Sequence, residues 1–188
     1  MRLILLLLTM AAVVGCDTQK AETQQGAGAA AQAEGGNASA GGEVDRSQKG
    51  KPLPESELFD ADNDPSALTQ LKGQPVLVNL WAIWCAPCVK ELPTLQALSK
   101  RKNVDVIAVS QDMAPRSSVD AFLAKNALGD LEVWHDPKMA LSGALGVQIL
   151  PTTILYGADG KEIWRYTGDL DWSGEEAAKL LADADARS

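Results

Sequence analysis

A mixed α/β sheet with helices on both faces is the fold class this sequence predicts, on three observations. An apolar run, Val76–Trp81, leads directly into Cys85-Ala86-Pro87-Cys88 and then into a segment of helical period. Residues 104–109 are apolar on both strand faces, as a central parallel strand requires. Two later strands, Thr152–Tyr156 and residues 162–166, are separated by Gly157-Ala158-Asp159-Gly160, a hairpin signal. Strands alternating with helices and closing on an antiparallel pair give such a sheet.

The other elements follow in chain order. Residues 68–73 read as a short turn or helix that stops at Gly73, ahead of the first strand. Over residues 87–100 the apolar side chains Val89, Leu92, Leu95 and Leu98 recur at helical spacing. Pro93 lies inside that helix and is expected to kink it. Residues 117–125 read as a helix and 131–134 as a short strand. Residues 138–145 form a helix ended by Gly146, and 175–184 form the last one.

The chain has three cysteines, an odd number that calls for an explanation in an exported protein. Met1-Arg2 precedes an apolar stretch, residues 3–14, too short to span a bilayer but suited to a secretory signal. Its ending, Val13-Val14-Gly15-Cys16, resembles a bacterial lipobox. That likeness makes residues 1–15 a lipoprotein signal peptide and Cys16 the lipidated first residue of the mature chain. The alternative is an ordinary signal cut near Ala11 or Gly15.

From Asp17 to about Gly50 the composition is Ala, Gly, Gln, Ser and Thr without an aromatic residue. Such a stretch buries too little apolar surface to offset its ordering entropy, so residues 16–50 are expected to be a disordered tether. Its root-mean-square reach would be roughly 30–35 Å. Residues 51–188 then form one domain. Asp17 after Cys16 resembles the signal that retains lipoproteins in the inner membrane of two-membraned bacteria. The expected location is extracytoplasmic, anchored to the membrane by the lipid on Cys16, and on the periplasmic side of the inner membrane if the cell has two membranes.

The formal charge is −8, and residues 51–188 carry 20 acids against 13 Lys and Arg with no basic cluster. Nucleic acid is excluded as an expected partner. One cysteine pair and a single histidine, His135, cannot assemble a four-ligand zinc site, so no metal is expected. His135, just before Asp136-Pro137, reads as a structural or solvated loop residue. The chain has no nicotinamide or flavin motif, so no cofactor is expected.

The chemistry lies at the strand-to-helix junction. Cys85 falls at the N-terminus of a helix, where free N–H groups and the helix dipole lower a thiol pKa. Cys88, three residues on, is close enough to close a disulfide with Cys85. The pair reads as a dithiol/disulfide exchange centre.

Trp84-Cys85-Ala86-Pro87-Cys88 after a Val-rich strand, with Leu150-Pro151-Thr152-Thr153 some sixty residues later, resembles the thioredoxin fold. With Glu91-Leu92-Pro93 added, the chain is more narrowly similar to the TlpA/ResA-type membrane-tethered thiol-disulfide oxidoreductases. The likeness covers residues 52–184. It implies an extra strand and helix in the middle of the fold, for which residues 104–131 give room.

The resemblance also implies roles. Cys85 attacks a partner disulfide and Cys88 resolves the mixed disulfide. Pro87 fixes the helix start. Pro151 is the cis proline beside the disulfide, and Leu150 pairs with the substrate chain; the alternative is a trans proline opening a strand. Trp84 borders the site and helps bind partners. Asn79 stands where thioredoxin has a buried Asp, so the proton-handling role passes to Glu91, whose charge would raise a thiol pKa. The alternative for Glu91 is a solvated residue paired with Lys90 or Lys100. Trp81, Trp134 and Trp164 are expected in the core, and Trp172 has no assigned place.

Ala86 supplies none of the thiolate stabilisation that a His there would give, which argues for a reducing centre. The expected function is reduction of disulfides in specific cysteine-containing extracytoplasmic proteins, for example apocytochrome c or copper-site cysteines. A membrane electron-donor protein would then re-reduce the pair. The competing readings are a non-catalytic thioredoxin-like binding module, a Sco-type metallochaperone and a general disulfide oxidase or isomerase. Sco-type cysteine spacing and its added His are not matched here.

Overall fold

A computed structural model describes residues 42–101 and 104–185. Cys16, the signal segment and most of the expected tether lie outside the described residues. The first half comprises β1 Glu43–Asp45, β2 Leu58–Phe59, β3 Pro65–Ser66, β4 Val76–Trp81, α1 Ala86–Ser99 and β5 Asp105–Ser110. Next come α2 Arg116–Lys125, β6 Val133–His135 and α3 Ala140–Leu145. The chain closes with β7 Thr152–Tyr156, β8 Glu162–Thr167 and α4 Glu175–Asp185. A 3-10 turn, Leu68–Leu71, precedes β4 where the short turn is predicted.

The strands form one sheet in the order β1-β8-β7-β4-β5-β6-β2-β3. β4, β5 and β6 run parallel, whereas β7 pairs antiparallel with β4 and β8 with β7. The quartet β5-β4-β7-β8 with α1, α3 and α4 is the thioredoxin fold. α2 and β6 are the central insertion: β6 adds to the outer edge of β5, which leaves β5 internal and apolar on both faces. Gly146 ends α3 in the left-handed region, at φ 65°, where a side chain would be strained.

Alternation along β4 divides the core in two. Leu77 and Trp81 face Leu92, Leu95 and Leu98 of α1, together with Trp164 and Trp172. Val76, Val78 and Leu80 face the other way, onto Leu58, Leu68, Trp134 and Leu141. The helix continues through Pro93, so its two buried flanks, Leu92 and Leu95, stay on one face. Leu95 is fully buried. Leu95→Ala is expected to lower stability by about 3 kcal/mol, read as a lower urea midpoint at unchanged slope.

Three local expectations are corrected, and one hairpin is added. A tether is expected as far as Gly50, but Glu43–Asp45 pairs with β8, and Lys49 and Gly50 make backbone turn and strand-edge bonds. Composition misses this because a three-residue edge strand is held by main-chain bonds and by Tyr166, whose hydroxyl accepts the Gly42 N–H at 2.7 Å. The strand expected at 131–134 lies at Val133–His135, set by its parallel register with β5. His135 is therefore a buried strand residue, its Nε2 2.8 Å from the Asp112 carbonyl oxygen, not a loop residue. The small hairpin β2–β3 has no periodicity to announce it; Asp60 Oδ1 fixes its turn by accepting the N–H groups of Asp62 and Asp64.

Candidate active site

β4 ends at Trp81, and the turn to α1 is closed by the Cys85 N–H donating to the Ala82 carbonyl. Cys85 caps α1 with extended backbone, and Pro87 sits in the first turn, where its missing N–H costs no helical bond. A disulfide joins Cys85 to Cys88. The Cys88 N–H points at Cys85 Sγ, 3.3 Å away, so a helix N-terminal donor faces the sulfur that would carry charge after reduction. Cys85 is 6% exposed and Cys88 0%. Solvent and partners therefore meet Cys85 first.

Beneath the pair lies a carboxyl. Glu91 follows Cys88 by three residues on the same face of α1, at about 5–6 Å between Cβ atoms for this spacing. It is 2% exposed, not a solvated residue paired with Lys90 or Lys100. Lys90 instead pairs with Asp169 and Lys100 with Asp130. Three N–H donors converge on Glu91: Asn79 Nδ2 at 2.7 Å, Trp172 Nε1 at 3.0 Å and the Leu170 backbone at 3.1 Å. Burial pushes its carboxyl up to about 7, against the lowering effect of those three donors; the nearby Asp169 charge adds to the rise.

Asn79 reaches Glu91 because position 79 shares the Leu77 and Trp81 face of β4. Its amide also donates to Thr153 Oγ1 at 2.9 Å, its register partner on β7, which ties the helix side of the sheet to the strand after Pro151. Asn79 Oδ1 is buried with no hydrogen-bond partner among the described residues.

The Leu150–Pro151 peptide is cis. Leu150 packs against both core clusters, while Ile149 just before it is 62% exposed. Trp84 is 68% exposed beside Cys85, and Met113 stands out from the loop after β5. Trp84 thus sets exposed apolar surface next to Cys85. Trp81, Trp134 and Trp164 are buried in the core.

Sequence reasoning missed three contributors. Trp172 is fully buried, stacks edge-on against Tyr166 with ring centroids 6.2 Å apart, and donates to Glu91. Thr153 completes the amide network. Asp112 holds the loop before Cys85: its Oδ2 accepts the Ile83 N–H at 3.0 Å and the Ser110 hydroxyl at 2.9 Å. Of these, strand alternation could have put Thr153 on the Asn79 face. Trp172 reaches Glu91, and Asp112 reaches Ile83, only across long chain separations.

Comparisons with known proteins agree with this geometry. The Redoxin family profile matches residues 48–181. The thiol-disulfide oxidoreductase ResA of Bacillus thuringiensis is 32% identical over 131 residues, 66% of this chain and 73% of that one. ResA of Bacillus anthracis matches to the same extent. Among solved structures, a chain from Chlorobium tepidum classed with the DsbE thiol:disulfide interchange proteins superposes with a TM-score of 0.63. It is 28% identical, over 72% of this chain and 97% of that one. The pneumococcal exposed lipoprotein thioredoxin of Streptococcus pneumoniae, at 23% identity, shares the fold with a TM-score of 0.60, over 70% of this chain and 99% of that one. This chain, with a cysteine pair at a helix N-terminus in a thioredoxin fold, belongs to the Redoxin family and, within it, to the ResA-type thiol-disulfide oxidoreductases.

Proposed function

We propose that this oxidoreductase works as a reductant for a few extracytoplasmic partner proteins. The observation that carries the reading is a cysteine pair at a helix N-terminus, Cys85 the less buried of the two, followed on the same helix by a buried carboxyl. In the dithiol form the Cys85 thiolate attacks one sulfur of a partner disulfide. A Cys85–partner disulfide forms and the partner's other sulfur leaves as a thiolate, which takes up a proton. The Cys88 thiolate then attacks Cys85 Sγ; the Cys85–Cys88 bond closes and the second partner thiol departs. Two electrons pass to the partner, and a membrane electron-donor protein returns two to the pair.

Glu91 tunes this exchange. Its charge above about pH 7 disfavours a second anion beside it, which holds the thiols less acidic and favours a reducing pair. Trp84, Leu150 and Pro151 supply the surface and the backbone edge on which the partner chain lies. The partner is a cysteine-bearing protein such as apocytochrome c or a copper-site subunit. Cys16 carries the lipid that tethers the domain to the membrane outside the cytoplasm, following removal of residues 1–15.

Cys88→Ser keeps the attacking sulfur and removes the resolving one. Expressed in its own cell, this variant is expected to accumulate a covalent complex through Cys85 that dithiothreitol releases, and mass spectrometry would name the partner. If cells carrying Cys88→Ser hold only free monomer under conditions that trap thiols, the substrate reading is wrong.

A further inference from the structure

We propose that Trp172 is a positioning residue for the dithiol chemistry: its indole N–H, with the Leu170 backbone N–H, holds the Glu91 carboxylate in its charged form and so sets the pH range in which the cysteine pair reacts. The proposal rests on the reading of Glu91 as the group that tunes the cysteines.

The turn between β8 and α4 is bound along its length to α1 and to Arg101 just beyond it. Asp169 pairs with Lys90 at 2.8 Å, and the Leu170 N–H and the Trp172 indole both end on Glu91 Oε2. The Trp172 backbone N–H donates to Thr94 Oγ1 at 3.1 Å, and Arg101 reaches the Ser173 carbonyl at 3.3 Å. The same turn starts at Gly168, whose N–H donates to the Pro151 carbonyl at 3.0 Å. One segment therefore touches both the carboxyl below the disulfide and the backbone of the cis proline.

Two of the three donors to Glu91 come from this segment and converge on one oxygen, Oε2, while Asn79 holds Oε1. A carboxylate accepting several N–H bonds is stabilised as the anion; each donor removed favours the acid. The other ionisable groups around Glu91 are Cys85 and Cys88 on its own helix, Lys90 in its pair with Asp169, and Asp171. Tyr166 stands behind the Trp172 ring, with Glu176 near it. β4 and β7 present only the neutral Asn79 and Thr153. A cleft of about 250 Å³ lined by Lys90, Glu91, Thr94, Asp169, Leu170 and Asp171 gives the carboxyl a path for proton exchange with solvent.

Trp172→Phe keeps a ring against Tyr166 and deletes the donor. In the oxidised protein the cysteines do not titrate, so the indole N–H resonance of Trp172 reports the Glu91 proton alone. It is expected to titrate with a midpoint near the Glu91 value in the wild type and to stay flat in Glu91→Gln. In the reduced protein, the pH profile of iodoacetamide alkylation is expected to have its Glu91-linked inflection about one pH unit higher in Trp172→Phe.

A wild-type indole signal flat from pH 5 to 9 overturns the proposal, and that measurement stands even if the variant folds poorly. An alkylation profile displaced by Glu91→Gln but not by Trp172→Phe overturns it as well, and leaves the Glu91 reading intact. If neither variant displaces the profile, the Glu91 reading itself falls.

Discussion

Cys85→Ser is expected to abolish disulfide exchange, lowering the rate at which the dithiol form reduces a disulfide-bonded peptide by at least ~10³-fold. A serine hydroxyl is not ionised at the helix N-terminus at neutral pH and forms no bond to sulfur that Cys88 could resolve. Cys88, the remaining thiol, is 0% exposed and cannot take over the attack. The loss belongs to the chemistry rather than to stability, since Cys85 lies at the edge of the core, so the urea midpoint of the variant should stay close to that of the reduced wild type. Peptide reduction followed by thiol titration checks it. A variant that kept full activity in the cell would show a docking module in place of turnover.

Glu91→Gln is expected to change how stability depends on pH. The Glu91 carboxyl sits near 7 in the folded chain against 4.5 for a free side chain, because burial disfavours its charge. Below about pH 4.5 both folded and unfolded chains hold the proton, and the group contributes nothing to pH dependence. Between 4.5 and 7 the unfolded chain ionises first, so stability falls as pH rises. Above 7 the loss is complete, on the order of 3 kcal/mol.

Glutamine has no charge to bury, so the wild-type decline from pH 4.5 to 8 should flatten in the variant, as read by urea midpoints. Equal slopes in the two proteins would show that Glu91 is already charged at acid pH. The same substitution should lower the pH at which the cysteines alkylate, because the neutral amide no longer opposes a thiolate three residues away.

Much of the frame was legible because its signals are local. Val76–Trp81 and Thr152–Tyr156 match the predicted strands residue for residue, since buried strands read as unbroken apolar runs. The helix after Cys88 follows from a stripe of leucines at helical spacing, and the hairpin at 157–160 from its glycines. What failed was short or held by main-chain bonds: β1 inside a Gly- and Ala-rich stretch, β2–β3, and the exact place of β6. None of these has enough side chains to carry a period.

The site divides in the same way. Sequence alone determined the reactive pair, because the positions of Cys85 and Cys88 at a helix start are set by a few adjacent residues and by the backbone N–H groups every helix start exposes. It also marked Asn79, Glu91 and Pro151 as positions of interest, through motif likeness. Only the tertiary structure decided what Glu91 is. Whether a carboxyl on a helix is solvated or buried depends on what covers it, and here the cover is a turn about 80 residues further along the chain, bringing Leu170 and Trp172 onto the same oxygen. Burial and hydrogen bonding are properties of the assembled core, so the proton affinity of that group is fixed by packing that no local spacing encodes.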